Sequence, residues 1–159
     1  MRPDEMLPLL AIATFLNGLL AGAAIDQTVR HAPARLQLGI RRFDEYSQAV
    51  RGGRASAWYG LIDLGATLLN LALGIIQRTG RHAPDQLTPL DLAAVLAVLN
   101  LLVGMQAVPL LLAIRRHIDK KSALLVLYAR IARWQTIRCV LQLSAYVAVL
   151  WSLVIVAGQ

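Results

Sequence analysis

The sequence is poor in the residues that most metal and redox centres require. It holds one cysteine, Cys139, which excludes an internal disulfide and a paired-cysteine redox motif. Its three histidines, His31, His82 and His117, lie in or beside the stretches between long apolar runs, which argues against a haem held by two histidines inside a membrane. Only two glutamates are present, too few for a four-helix di-iron carboxylate site. We therefore expect no metal and no cofactor.

Charged residues are also scarce. They make up 16% of the 159 residues, while 57% are hydrophobic, against about 25% charged and about 45–50% apolar in soluble domains. The net charge of +7 would suit nucleic acid, but the basic residues stand between apolar runs, where they act as topology signals. No P-loop, dinucleotide-binding or nucleophile-elbow motif is present. We expect membrane lipids, and no nucleic acid, as partners.

Four apolar runs are each about 20 residues or longer, the length that crosses a bilayer. They cover about residues 6–25, 57–77, 89–114 and 135–157, within a single domain of residues 1–159. The first run is too long for a signal peptide, and Asp4 and Glu5 precede it where a signal peptide is basic. The predicted fold is an all-α integral membrane four-helix bundle.

Lysine and arginine set the predicted orientation. The two stretches after the first and third spans hold twelve of them, whereas the N-terminal stretch and the stretch between the second and third spans hold three. The positive-inside rule places the basic stretches in the cytoplasm. We expect a multi-pass protein of the inner (cytoplasmic) membrane with both termini outside the cytoplasm.

Two further helical features lie beside the spans. The segment "PARLQLGIRRFDEYSQAV" has apolar residues at three- and four-residue intervals, which predicts an amphipathic cytoplasmic helix at about 34–51. The stretch "DKKSALLVLYARIARW" is also predicted to be helical and to continue into the fourth span. In "TPLD", Thr88 can cap a helix that begins at Pro89, with Asp91 at its third position.

Each span carries one stripe of small and polar residues at helical spacing. Close packing of small residues and interhelical hydrogen bonds associate helices in lipid, so the stripes are predicted to face inward and the aliphatic surfaces to face lipid. By span, the stripes are Thr14, Gly18, Gly22 and Asp26, with Asn17 beside them; Gly60, Asp63, Thr67, Asn70 and Gly74; Ala93, Ala97, Asn100, Gly104 and Ala107; and Gln135, Arg138, Gln142, Ala145 and Ser152.

Asp63 and Arg138 are the ionisable residues deepest in the spans. Both spans begin at the cytoplasmic side, and Asp63 lies about 9 Å past that point at 1.5 Å per residue. Arg138 falls within a few ångströms of the same level, so the two are predicted to pair. Because intramembrane ionisable residues are functional candidates, we assign Asp63 and Arg138 as the candidate catalytic pair. The predicted ligand pocket around them comprises Asn17, Tyr59, Asn70, Asn100, Gln106 and Gln142. The alternative, that these groups only join helices, has equal weight.

The chain resembles the anthrone-oxygenase-like family of small four-span membrane proteins. The similarity lies in "GLLAG", "PARLQLGIRRFDEYSQA", "WYGLIDLGATLL" and "ARWQTIRCVLQ", and so covers nearly the whole chain. It implies a four-helix membrane bundle and, for fungal members, cofactor-free oxidation of an anthrone to an anthraquinone. A base there converts the substrate to an electron-rich enolate. Asp63 as base and Arg138 as stabiliser of anionic charge suit that chemistry; this assignment rests on their position in the spans.

Two functions remain open from the sequence. The first is a polar-lined site inside the bundle for a small aromatic, anthrone- or quinone-like ligand, which it could oxidise. That function needs a cavity of about 300 Å³ or more reaching Asp63 or Asn100. The second is a non-catalytic accessory subunit of a larger membrane complex, or a homo-oligomer, with a filled interior. A transporter ranks third, because four spans are few and no inverted repeat is visible.

Overall fold

The structure is a computed structural model that describes residues 3–31, 42, 55–79, 88–116 and 121–158. In these ranges the chain is helical, with no β-strand. The helices are α1 (Pro3–Asp26), which continues as a π-helical turn (Gln27–His31), α2 (Ala55–Thr79), α3 (Pro89–Arg116) and α4 (Lys121–Ala157).

All four helices are long and apolar enough to cross a membrane, and the predicted all-α architecture is confirmed for the described residues. The fourth helix begins at Lys121 and runs without interruption to Ala157, so the predicted continuation of the basic stretch into the last span is also confirmed. The amphipathic helix predicted at about 34–51 lies, apart from residue 42, outside the described residues.

The helices pack in a ring. Helix α1 contacts α2 and α4, and α3 also contacts α2 and α4, so α2 and α4 face each other across the diagonal. A side chain that reaches from α2 to α4 therefore crosses the centre of the bundle. The exposed residues on the outer surface are mostly aliphatic, as lipid contact requires.

One end of the bundle is filled by apolar side chains. This apolar end lies where α1 and α3 begin and where α2 and α4 end. Helical spacing on each of the four helices points one small or branched side chain per turn to the axis, and these interlock. Its buried members are Leu10, Ala13, Leu73, Leu90, Ala93, Ala148 and Val149.

The start of α3 is fixed by a capping box at this same end. The Thr88 N–H donates to Asp91 Oδ2 at 2.9 Å, and the Asp91 N–H donates to Thr88 Oγ1 at 3.2 Å. Each group satisfies a backbone donor that has no partner within the helix. Arg78, in the last turn of α2, adds an ion pair with Asp91 at 2.7 Å. The predicted role of Asp91 as a helix-start residue is confirmed.

The prediction for the face of α1 is wrong. The inward face is built by Ala13, Asn17, Leu20 and Ala24, whereas Gly22 on the predicted stripe is exposed. Burial of the Asn17 amide is the physical reason: an amide facing hydrocarbon costs several kcal/mol, and a glycine costs nothing there. On the other three helices the stripe residues whose burial is described are buried or half-buried, except that Gly60 at the start of α2 is exposed.

Candidate functional site

Asp63 and Arg138 form an ion pair across the diagonal of the bundle. Nη2 of Arg138 donates to Oδ2 of Asp63 at 2.7 Å, as the common depth of the two residues predicts. The Asp63 side chain is 7% exposed and that of Arg138 is 31% exposed. Helix α3 passes close by, since a Cβ added at Gly104 would lie 3.8 Å from Cζ of Arg138. A methyl group at position 104 would therefore be in ordinary van der Waals contact with the guanidinium, which shows that α3 packs directly against the ion pair.

Asn100 on α3 holds the second carboxylate oxygen. Its Nδ2 donates to Oδ1 of Asp63 at 2.9 Å, so both oxygens of Asp63 accept hydrogen bonds from charged or amide donors. Donation to the ionised form stabilises a carboxylate in a low-dielectric interior. Asn100 is fully buried, and its own Oδ1 has no hydrogen-bond partner among the described residues.

A second group of amides joins α1, α2 and α4 one to two turns deeper. Asn17 and Asn70 exchange hydrogen bonds of 3.2 and 3.3 Å between their carboxamides. Gln142 Nε2 donates to Oδ1 of Asn17 at 3.3 Å. Asn17 Nδ2 also donates to the Ala13 carbonyl oxygen at 2.8 Å. We call the six residues of the two groups the polar cluster: Asn17, Asp63, Asn70, Asn100, Arg138 and Gln142.

A small cavity opens beside the polar cluster toward the end of the bundle where α1 finishes. Its volume is about 30 Å³, enough for one or two waters or one oxygen-bearing group. Arg138 and Gln142 line it from α4 and Tyr59 lines it from α2. The other lining residues are Leu20, Ala23, Ala24, Gln27 and Gln135.

Gln27 and Gln135 bridge α1 to α4 at this cavity. Gln135 Nε2 donates to Oε1 of Gln27 at 2.7 Å. Gln27 is the first residue of the π-helical turn, a conformation that is frequent at functional sites. Sequence reasoning placed Gln135 on the inward stripe but missed Gln27, because the predicted first span stopped at residue 25. The available signal was its spacing of seven residues from Leu20, two helical turns on the same face.

The structure brings most of the predicted site residues together, with two exceptions in their roles. All six members of the polar cluster are predicted site residues, and Tyr59, also predicted, lines the cavity while 46% exposed. Gln106 is exposed on α3 and does not line this cavity, so its place in a ligand pocket stays a prediction. Among the described residues, Arg138 lines the cavity and Asp63 does not.

The chemistry available here is recognition by donors. Arg138 presents a cation whose partner Asp63 already neutralises it, and the amides of the cluster orient one another. The described residues contain no group of histidine, cysteine and carboxylate side chains that could hold a metal. No family model, curated protein or solved structure matches the chain.

Proposed function

We propose that this membrane protein binds the oxygen-bearing end of a small hydrophobic aromatic molecule, anthrone- or quinone-like, at the cavity beside Arg138. The observation that carries the proposal is a cationic donor, fixed by a buried counter-ion, on the wall of a cavity between helices with aliphatic outer surfaces. A charged side chain in a span costs at least about 2.5–3.5 kcal/mol on insertion scales, and such residues commonly mark functional sites.

The size of the cavity limits what can enter. At about 30 Å³ it is a tenth of the smallest common ligand pocket of about 300 Å³. It therefore accommodates one carbonyl group, with the rings of the ligand outside, against the surface where Trp58 and Tyr59 are exposed. Among the described residues no enclosed cavity of about 300 Å³ reaches Asp63 or Asn100, so the expected enclosure of a whole ligand is not met and the proposal is confined to contact with one carbonyl group.

Catalysis extends this proposal in line with the anthrone-oxygenase-like resemblance. Oxidation of an anthrone CH₂ to a carbonyl consumes one O₂ and releases one water, and it starts with removal of a proton from that carbon. Asp63 would act as base only after releasing Arg138 or Asn100, because each of its oxygens accepts a hydrogen bond. Binding is for that reason the function that the geometry supports best, with oxygenation as its extension.

Fluorescence titration tests the binding step. The solubilised protein is titrated with anthraquinone while the emission of its tryptophans, two of which stand next to cavity-lining residues at positions 58 and 134, is followed. Saturable quenching is expected in the wild type and is lost in Arg138→Gln. The matched control is Arg130→Gln, an exposed arginine two turns earlier on α4, which retains quenching. Equal quenching in both variants, or in micelles carrying free tryptophan, contradicts the proposal. Oxygen uptake with anthrone as substrate then tests the catalytic extension.

The orientation belongs to the same proposal. With the basic stretches in the cytoplasm, the cavity opens toward the cytoplasmic half of the inner membrane and the apolar end faces outward. A reporter fused to the C-terminus, active on one side of the membrane only, checks this arrangement. Cytoplasmic activity of the reporter contradicts it.

A second candidate function is supported by a separate surface. An open groove of about 500 Å³ runs between α1 and α4, lined by Thr14, Gly18, Gly22 and Tyr146 among others. Small residues allow a helix of another chain to approach closely, which suits an accessory subunit or a homo-oligomer. Gly22→Leu, where a Cβ meets open space, is expected to remove larger assemblies from native mass spectra of gently solubilised membranes. Gly65→Leu on α2, equally open, is the control. Identical spectra for both variants count against the groove as an interface.

A further inference from the structure

The ion pair beside the cavity has no net charge. Arg138 is held at 2.7 Å by Asp63, whose carboxylate is in turn fixed by Asn100. Building on the proposed function, we infer that the site selects a neutral carbonyl acceptor and discriminates against the anionic form of the same ligand. Asp63 is the positioning residue that sets this selectivity, and Arg138 is the donor that contacts the ligand.

The side chains at the cavity have N–H donors that a hydrogen-bond acceptor of the ligand can use. Arg138 uses Nη2 for Asp63 and retains other N–H groups, since a guanidinium has five. Gln142 donates one of its two amide N–H groups to Asn17, and Gln135 donates one of its two to Gln27. A carbonyl oxygen accepts from these donors and brings no charge of its own into the bundle.

An anionic ligand would be less favourable at this site than a neutral one. Moving an ion out of water carries a desolvation penalty that only a well-placed opposite charge offsets. Arg138 would offer that charge if it were bare, but Asp63 sits at contact distance and opposes it. A third charge leaves the site with a net negative charge in a low-dielectric medium, where Coulomb terms are large.

Within the described ranges, the neighbouring ionisable groups leave the pair without net charge. Helix α2 contributes Tyr59 and Asp63, and α4 contributes Arg138 and the buried Cys139. The end of α1 carries Asp26, which pairs with Arg30 at 3.5 Å. The described part of α3 faces the pair with Asn100 and Gly104, which do not ionise.

A hydroxyanthraquinone dye whose neutral and anionic forms differ in colour reports the charge of the bound ligand. Alizarin is titrated with base in empty micelles and in micelles containing the protein. Tryptophan quenching measures binding in the same samples. In the wild type the midpoint of the dye's ionisation is expected to stay at or above its value in empty micelles. The neutral dye then binds at least as tightly as the anion.

Three variants isolate the role of Asp63. Asp63→Asn leaves Arg138 without its counter-ion and is expected to lower the midpoint by about one pH unit, which is tenfold in relative affinity. The double variant Asp63→Asn with Arg138→Gln lacks the ligand donor, so it is expected to show no saturable quenching and the micelle midpoint, and it serves as the non-binding baseline. Asp63→Glu preserves the charge and should behave as the wild type. If Asp63→Asn fails to fold, the ionisation midpoints of the dye in the wild type and in Asp63→Glu still test charge selection.

The outcomes separate this inference from the proposed function. Dye that quenches tryptophan in the wild type with a midpoint about one pH unit below that in micelles overturns charge selection and leaves ligand binding standing. An unchanged midpoint in a folded Asp63→Asn variant that still binds the dye also overturns it. Absence of any saturable quenching in the wild type removes the proposed function, and this inference with it.

Discussion

The Asp63–Arg138 pair gives the sharpest quantitative prediction, because it crosses the diagonal of the bundle. Two unit charges about 4 Å apart at an effective dielectric of about 20 attract by about 4 kcal/mol. Removing one partner of a buried pair costs about 3–5 kcal/mol, since the other charge is left uncompensated. The structure orders the two single variants. Arg138 is 31% exposed and lines the cavity, whereas Asp63 is 7% exposed and does not, so an orphaned arginine turns into the cavity more easily than an orphaned carboxylate.

We expect Arg138→Gln to lower the free energy of unfolding by about 5 kcal/mol and Asp63→Asn by about 3 kcal/mol. The double variant, which removes both charges, should recover about 2–3 kcal/mol relative to the sum of the two. Reversible unfolding in mixed micelles with rising SDS, followed by helical circular dichroism, measures the free energy of unfolding of the wild type, the two single variants and the double variant. Additivity within about 0.5 kcal/mol would refute the pairing energy derived from this geometry, and a smaller loss for Arg138→Gln than for Asp63→Asn would refute the ordering by exposure.

The other predictions use the same unfolding assay. Asn17→Leu removes hydrogen bonds to two other helices and should cost about 1–2 kcal/mol, whereas the exposed Gln106→Leu should change stability little; equal effects would contradict the network. Gly18→Leu should cost about 1–3 kcal/mol through overpacking, because a Cβ there lies 3.2 Å from Cε2 of Tyr146; an unchanged stability would mean that the ring moves freely. Asp91→Ala should cost about 1 kcal/mol or more by removing the cap of α3, and a neutral effect would show that the capping box adds nothing to stability.

Helix number and axial depth follow from the sequence because both depend on one-dimensional patterns. Apolar run length gives the spans, and 1.5 Å per residue places side chains along the axis. The charge pattern then sets which span ends lie together. Asp63 and Arg138 were brought to one level by that reasoning, and the structure joins them at 2.7 Å. The cap at Thr88 was equally local, since its partners are three residues apart.

Rotation about the helix axis is less well determined by sequence. On α1 the faces of Asn17 and Gly18 differ by one residue, or about 100°, and both carry residues that pack well against other helices. Which face of α1 points inward depends on packing against all of the other helices, and in the structure the face that carries the buried Asn17 amide points inward. Gln106 shows the opposite case. It stands six residues after Asn100, which places it about 120° away around an α-helix of 3.6 residues per turn, and it is exposed while Asn100 is fully buried.

The contrast between the two ends of the bundle bears on the transporter interpretation. Alternating access needs a site that opens in turn to each side. The cavity opens toward one end of the bundle and the polar cluster extends from it to the middle, and beyond them Leu10, Leu73, Leu90 and Val149 interlock with no exposed surface. Opening a path through that end would unpack close-packed apolar groups and would also strain the Arg78–Asp91 pair, at 2.7 Å, that joins α2 to α3. The closed end instead gives the polar cluster a rigid base. A buried carboxylate, a guanidinium and four amides can then be held in fixed geometry beside a cavity that is reached from one end.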